Sequence, residues 1–135
     1  MIYWETSALV KQSLAEVGTE QVLALRTKDL PHATSMITYS ETFSALRRRV
    51  GERFLPAARY RTAIDLFKRD WPAFVRVQLD KEIIMLSAKL IERHPLRTLD
   101  AIHLASSSSF SNWSASPPYL CLPIVSCFRS PEPRT

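Results

Sequence analysis

Short apolar runs alternate with longer amphipathic stretches along the first 110 residues of the chain. Residues 2–4 are short and apolar enough to form a buried parallel strand, and residues 33–37 are predicted as a short second strand. Residues 74–79 alternate apolar and polar positions from Val75 onward, as a strand near the edge of a sheet does. Because helical patterns separate these runs, the sequence predicts an α/β fold, with a mainly parallel central sheet and helices on both faces.

Capping residues, glycines and prolines set the bounds of the predicted helices. Thr6 and Ser7 can cap the first helix, and Asp80 is a suitable N-cap for the fifth. Thr38 and Glu41 have the spacing of a capping box, which gives Glu41 a purely structural interpretation. The predicted helices cover about residues 6–18, 19–28, 38–51, 56–69, 80–91 and 97–106.

Composition indicates one globular domain. The chain has 135 residues, of which 46% are hydrophobic and 23% charged, as in ordinary globular proteins. Its longest apolar stretch near the end is too short to span a bilayer, and no secretion signal opens it. Cys121 and Cys127 form neither a metal-ligand pattern nor a disulfide framework. We therefore expect a cytoplasmic protein without membrane association.

The net charge of +5 is carried mostly by arginines, six of which fall between residues 47 and 61. Such a cluster can contact phosphates. It can equally form the solvated side of two helices or meet an acidic protein partner. The cluster alone does not choose among these interpretations.

The composition changes beyond Ser106. Residues 106–109 are all serine, and five of the nine prolines lie between residues 117 and 133. No acidic residue occurs between Asp100 and Glu132. We expect one last strand within residues 119–127 and disorder in the final residues. The coincidence of these changes suggests an altered reading frame from about Ser107.

Three acids stand out by position. Glu5 directly follows the first strand, and Glu41 lies in the first turn of the helix after the second. Asp100 interrupts an apolar set in the last predicted helix, so we expect its side chain to point toward protein. A buried charge is costly unless it is paired or binds a metal, and a divalent cation relieves the repulsion between converging carboxylates. For Asp100, the competing interpretation is an ion pair with Arg97 or another arginine.

Three motifs in this order resemble the PIN-domain ribonucleases, and especially the VapC-type toxins of toxin–antitoxin pairs. The resemblance covers about residues 1–110, with residues 111–135 as an atypical tail. The motifs are Ile2-Tyr3-Trp4-Glu5-Thr6-Ser7-Ala8-Leu9-Val10-Lys11, Thr38-Tyr39-Ser40-Glu41-Thr42-Phe43-Ser44-Ala45-Leu46 and Leu96-Arg97-Thr98-Leu99-Asp100-Ala101-Ile102-His103-Leu104-Ala105.

The resemblance implies a PIN-like α/β/α sandwich that hydrolyses RNA phosphodiesters by a metal-bound water. Glu5, Glu41 and Asp100 would hold Mg²⁺ or Mn²⁺, and Thr6 and Ser7 would support the first carboxylate. Oxygen ligands suit Mg²⁺, which makes its water more acidic. The implied partners are RNA and a small cognate antitoxin; a homodimer is left open.

The chain departs from the family pattern at two places. The first acid is Glu5 where the family usually has aspartate, and Phe128 stands where the family carries another aspartate. Three acids therefore remain. This leaves two other functions open: an impaired PIN domain that binds an antitoxin, or a basic RNA-binding module without catalysis. His103, one turn from Asp100, is interpreted as a core histidine.

Overall fold

Five strands form one sheet in the computed structural model, which describes residues 1–110, 119–121 and 127–129. The strands lie in the order β3-β2-β1-β4-β5, and all neighbours are parallel except β5, which runs antiparallel to β4. This confirms the predicted α/β fold with a mainly parallel sheet. The strands are β1 (Ile2–Trp4), β2 (His32–Ser35), β3 (Val75–Val77), β4 (Tyr119–Cys121) and β5 (Cys127–Arg129).

The predicted helices are present with small changes in their bounds. Short 3₁₀ turns at Lys11–Ser13 and Trp71–Ala73 follow the first and fourth helices. The α-helices in the described part of the chain are α1 (Thr6–Val10), α2 (Thr19–Arg26), α3 (Thr38–Gly51), α4 (Ala57–Asp70), α5 (Lys81–Arg93) and α6 (Thr98–Ser108). None of them is long and apolar enough to cross a membrane.

Alternating side chains of β1 separate the two faces of the sheet. Ile2 and Trp4 pack with residues of α1, α2 and the Trp71–Ala73 turn. Tyr3 points to the opposite face, where it packs against Phe110 and hydrogen-bonds to α6. On this face α6 contacts β2, and α5 packs on α6. Helices therefore cover both faces of the sheet. All three side chains of β1 are buried, so this strand lies at the centre of the core.

Hydroxyl groups near the helix starts take different partners from those that the capping patterns predict. The N-cap of α1 is Glu5 and that of α3 is Ile37, and neither helix has a side-chain cap. The predicted caps by Thr6 and Thr38 are therefore wrong. At α5 the prediction is confirmed, since the Asp80 carboxylate accepts a hydrogen bond from the Ile83 backbone N–H at 2.9 Å.

The change in composition near Ser106 does not end the fold. Helix α6 continues through Ser108, and Phe110 is buried against Tyr3. The predicted last strand is present as β4, and β5, which includes Phe128, was not predicted as a second strand. The predicted disorder of the final residues concerns 130–135, which lie outside the described residues.

Helix α5 leaves much of its apolar surface exposed. Ile83 and Ser87 are its buried residues. The side chains of Ile84 and Met85 are 46% and 52% exposed. The broad apolar side that the sequence predicts for this helix is thus only partly covered.

Candidate functional site

Two of the three predicted acids follow neighbouring parallel strands. Glu5 is the residue after β1, and Glu41 lies in the first turn of α3, which follows β2. Because β1 and β2 are paired and parallel, both acids lie at the carboxyl edge of the sheet. Ligands of open α/β folds usually bind at this edge. The backbone therefore brings Glu5 and Glu41 to one place.

The Glu41 carboxylate is held by two side chains. The Thr6 hydroxyl donates to its Oε2 at 2.5 Å, and Nε2 of His103 lies 2.7 Å from the same oxygen. Burial by itself would raise the pKa of Glu41, but the hydrogen bonds from His103 and Thr6 outweigh it and lower the pKa below its usual value. Glu41 is therefore ionised at neutral pH, in one defined orientation.

His103 connects Glu41 to β1. Its ring is 1% exposed, and its Nδ1 lies 2.9 Å from the Tyr3 hydroxyl. Burial, followed by the negative charges of Glu5 and Glu41, raises the pKa of Tyr3, so this hydroxyl keeps its proton. A neutral imidazole that accepts from Tyr3 and donates to Glu41 satisfies all three groups.

A second set of hydroxyls fixes α3 against the sheet. The Thr34 hydroxyl donates to the Trp4 carbonyl at 2.7 Å, and Thr38 Oγ1 lies 2.8 Å from Thr34 Oγ1. Both threonine side chains are fully buried. These contacts tie the start of α3 to β1 and β2. The position of Glu41, one turn further along α3, is set by this arrangement.

Glu5 is buried without a positive partner among the described residues. Its side chain is 8% exposed and accepts a hydrogen bond from the Ser7 hydroxyl. Burying a carboxylate is costly unless a cation or several donors compensate for its lost hydration. Glu5 and Glu41 also both act electrostatically on the Tyr3 hydroxyl. The edge thus concentrates negative charge that a bound cation would stabilise.

Asp100 is exposed, so its predicted burial is wrong. The stripe of α6 that faces the protein includes the small residues Ala101 and Ala105, which the apolar pattern overlooked. The proposed ion pair with Arg97 is also missing, since no ion pair of Asp100 occurs within the described ranges. Asp100 lies one turn before His103 in α6, so its side chain projects from a neighbouring part of the same helix surface.

The carboxylate oxygens of Glu5 and Glu41 at this edge are ligands of the kind that Mg²⁺ or Mn²⁺ takes. No set of three or more His, Cys, Asp or Glu side chains within the described ranges is arranged to hold a metal. Mg²⁺, however, is usually held by one or two carboxylates, with waters and substrate phosphates as its other ligands. Glu5 and Glu41 provide that number of carboxylates at the edge of the sheet.

Sequence reasoning missed the role of His103 as a partner of Glu41. A lone histidine among apolar residues is more often part of the core, and His103 is indeed buried. The available signal was its position in α6 one turn after Asp100, together with Tyr3 two residues before Glu5. Neither position by itself predicts that the side chains of His103 and Glu41 meet.

Two carboxylates at the edge of a parallel sheet, with helices on both faces, define an α/β/α domain with an acidic site. The sequence model of the PIN domain matches residues 2–109, so the chain belongs to the PIN-domain family. A solved toxin–antitoxin complex from Klebsiella pneumoniae has a similar fold, with a TM-score of 0.62 and 17% identity. The similarity covers 91% of this chain and 98% of that chain. No curated protein sequence matches.

Proposed function

We propose that this PIN-domain protein is a Mg²⁺- or Mn²⁺-dependent endoribonuclease and the toxin of a toxin–antitoxin pair. PIN domains are generally metal-dependent nucleases. The single observation that carries the proposal for this chain is the placement of Glu5 and Glu41 at the carboxyl edge of the sheet. Glu5 is buried there without a basic partner among the residues described, which favours a cation as its natural partner.

The residues of this chain would hold and orient the metal. Glu5 and Glu41 supply carboxylate oxygens, and Asp100 is proposed as a third, more exposed ligand. Thr6 and His103 keep Glu41 ionised and in one orientation, while Ser7 orients Glu5. When bound, the metal supplies a more acidic water and a positive charge that stabilises the reacting phosphate. Positioning and charge stabilisation are the two contributions that this site can make.

The toxin role is supported by the fold comparison. A solved structure of similar fold is a toxin–antitoxin complex. We therefore propose a small antitoxin protein as the partner of this chain, encoded beside it. A homodimer is an additional proposed assembly. A cytoplasmic location follows from the RNA substrate in this proposal.

A second candidate function is a PIN domain that binds an antitoxin but cleaves RNA poorly. The exposed position of Asp100 favours it, because the described residues hold no group of three metal ligands. The longer Glu5 in place of an aspartate also changes the reach of the first carboxylate. In this case, the fold and the partner would be retained without efficient chemistry.

One cleavage experiment separates these functions. The purified protein is incubated with labelled single-stranded RNA in Mg²⁺, in Mn²⁺ and in excess chelator. The proposed nuclease cleaves with metal and stops with chelator. An impaired PIN domain captures its antitoxin without cleavage under any condition. A basic RNA-binding module binds RNA equally with and without metal, with a steep dependence on salt.

A further inference from the structure

The net positive charge of the protein is concentrated in one short segment. Residues 47–61 contain six arginines and one acid, Glu52, which gives this segment a charge of +5. The other residues hold twelve basic and twelve acidic side chains, so they contribute no net charge. The segment forms the end of α3, the following turn and the start of α4. The positive field of the protein therefore originates at this α3–α4 turn.

Phe54 lies in this turn with its side chain 70% exposed. The backbone around it is well held: the N–H groups of Phe54 and Leu55 donate to the Arg49 carbonyl at 2.9 and 3.1 Å, and Leu55 is buried. Arg53 adopts a left-handed conformation with a φ of 62°, which is uncommon for a residue other than glycine. The turn thus presents an aromatic ring to solvent from a fixed backbone.

A cleft of about 470 Å³ lies between this turn and residues 13–16. Phe54, Arg49 and Arg59 line one side of it, and Glu16 lies on the other. The Arg49 guanidinium is 5.6 Å from the centre of the Phe54 ring and 3.3 Å from Glu16. Arg59 is exposed and has no ion pair within the described ranges. Arg49 therefore supports the ring, while Arg59 is free to bind an anion.

We propose that this cleft is a binding site for single-stranded RNA, in which Phe54 stacks on a base and Arg59 contacts the phosphate backbone. An exposed aromatic ring in a positively charged groove is the combination that single strands require. The charged setting of the ring favours RNA over an apolar protein surface. In naming RNA, this inference rests on the proposed function, and it adds a contact surface away from the acidic edge.

Helix α3 links the cleft to the acidic edge. Glu41 and Arg48 are seven residues apart, so they lie on the same side of the helix. Ser44, which lies between them, is small and exposed. Arg48 is also exposed. The helix rises about 15 Å between Glu41 and Gly51. A strand bound at the carboxylates would therefore meet positive charge as it runs along α3 toward Phe54.

Binding measurements without cleavage test this proposal directly. A 5′-labelled single-stranded RNA of mixed sequence is titrated with full-length protein in excess chelator. We expect Phe54→Leu, which keeps the apolar bulk but loses the aromatic face, to weaken binding by roughly 5- to 150-fold, while Phe54→Trp retains it. Arg59→Gln should reduce the slope of log affinity against log salt by about 0.7. Arg93→Gln, at the exposed end of α5, is the matched charge control. Its RNA affinity and salt slope should stay closer to those of the wild type than the values for Arg59→Gln do.

Equal affinity of wild type, Phe54→Leu and Arg59→Gln would overturn the proposal. It would also be overturned if these variants lost capture of the cognate antitoxin while RNA binding stayed unchanged, since the cleft would then bind protein. Because Phe54 is largely exposed, unchanged thermal melting of the variants is expected and checks their folding. If the wild type binds RNA without ever cleaving it, and Phe54→Leu and Arg59→Gln weaken that binding, the cleft proposal is supported and the nuclease function is contradicted. The failure of one proposal can therefore be distinguished from the failure of the other.

Discussion

Glu41 Oε2 lies 2.7 Å from Nε2 of His103, although the two residues are 62 positions apart in the chain. The contact joins the first turn of α3 to the middle of α6. Tyr3 on β1 completes the connection through the other ring nitrogen of His103. The orientation of Glu41 therefore depends on a buried path that begins in the central strand of the fold.

Replacing Tyr3 with phenylalanine should destabilise the protein. The buried Nδ1 of His103 loses its hydrogen-bond partner, and an unsatisfied buried polar group costs about 1–3 kcal/mol. Urea denaturation of wild type and Tyr3→Phe measures the difference in the free energy of unfolding.

Tyr39→Phe is the matched control for Tyr3→Phe. The Tyr39 ring packs among aromatic side chains, and no hydrogen bond of its hydroxyl occurs among the described residues. Its loss should change the free energy of unfolding by no more than about 0.5 kcal/mol. Equal losses in the two variants would contradict the role assigned to the Tyr3–His103 contact.

Asp100→Asn should reduce RNA cleavage by at least about 10-fold and leave the fold intact. Asp100 is exposed and unpaired in the described part of the chain, so its charge is not needed for folding. As the third ligand of the proposed site, Asp100 would add repulsion when no metal is bound, so the variant should melt at the same or a slightly higher temperature. Cleavage assays and melting curves with and without Mg²⁺ measure both effects.

Asp65→Asn, at an exposed position in α4, controls for the loss of an aspartate charge. It should cleave RNA as the wild type does. If Asp100→Asn also cleaves at the wild-type rate, Asp100 is not a metal ligand, and the site is limited to Glu5 and Glu41.

The fold was largely predictable from the sequence, because the strand and helix patterns are local. The strand at Ile2–Trp4 and the helix cap at Asp80 depend on neighbouring residues alone, and both are present. The surroundings of Glu41 were not predictable in the same way. The capping-box pattern of Glu41 with Thr38 is local. In the structure the Thr38 hydroxyl is hydrogen-bonded to Thr34 and the Glu41 carboxylate to His103, so tertiary contacts replace the predicted capping box. The prediction that Asp100 is buried was wrong because the small residues Ala101 and Ala105, and not the leucines, face inward in α6.

Stability should fall as the pH decreases from about 7 because of His32. Burial, together with the nearby Arg26 and the amino group of Met1, lowers its pKa, and a backbone hydrogen bond at Lys28 acts in the opposite direction. The Trp4 indole N–H donates to Nδ1 of His32 at 2.8 Å, so that nitrogen must be unprotonated. The unfolded chain, with a His pKa of about 6.5, binds a proton that the folded protein does not take up until lower pH. The contribution of neutral His32 to the free energy of unfolding is therefore fully present above about pH 6.5. It is lost progressively as the pH falls from there toward the lower pKa of the folded state.

His32→Gln provides the comparison for this pH effect. Glutamine can still accept the Trp4 hydrogen bond but does not titrate. The free energy of unfolding, measured from pH 5 to pH 8, should therefore vary less in His32→Gln than in wild type. Parallel curves for the two proteins would show that His32 does not cause the pH dependence.

The coding DNA tests the hypothesis of an altered reading frame after about codon 107. The PIN-domain match ends at residue 109, close to this point. If the hypothesis is right, another frame beyond codon 107 encodes a strand that ends in Ser/Thr-x-Asp, followed by an amphipathic helix. If neither of the other frames encodes this pattern and the tail also resists limited proteolysis, the hypothesis is wrong.

RNA cleavage by wild type, Glu41→Gln and Glu5→Gln, at saturating Mg²⁺ and in excess chelator, tests the central claim most directly. Glu92→Gln, an exposed acid at the end of α5, serves as the control. We predict metal-dependent cleavage by wild type and Glu92→Gln, and a loss of at least about 100-fold in the other two variants, since a direct ligand should matter at least as much as its supporting contacts. Cleavage that persists in chelator, or that is equal in all four proteins, would contradict a metal-dependent site at Glu5 and Glu41.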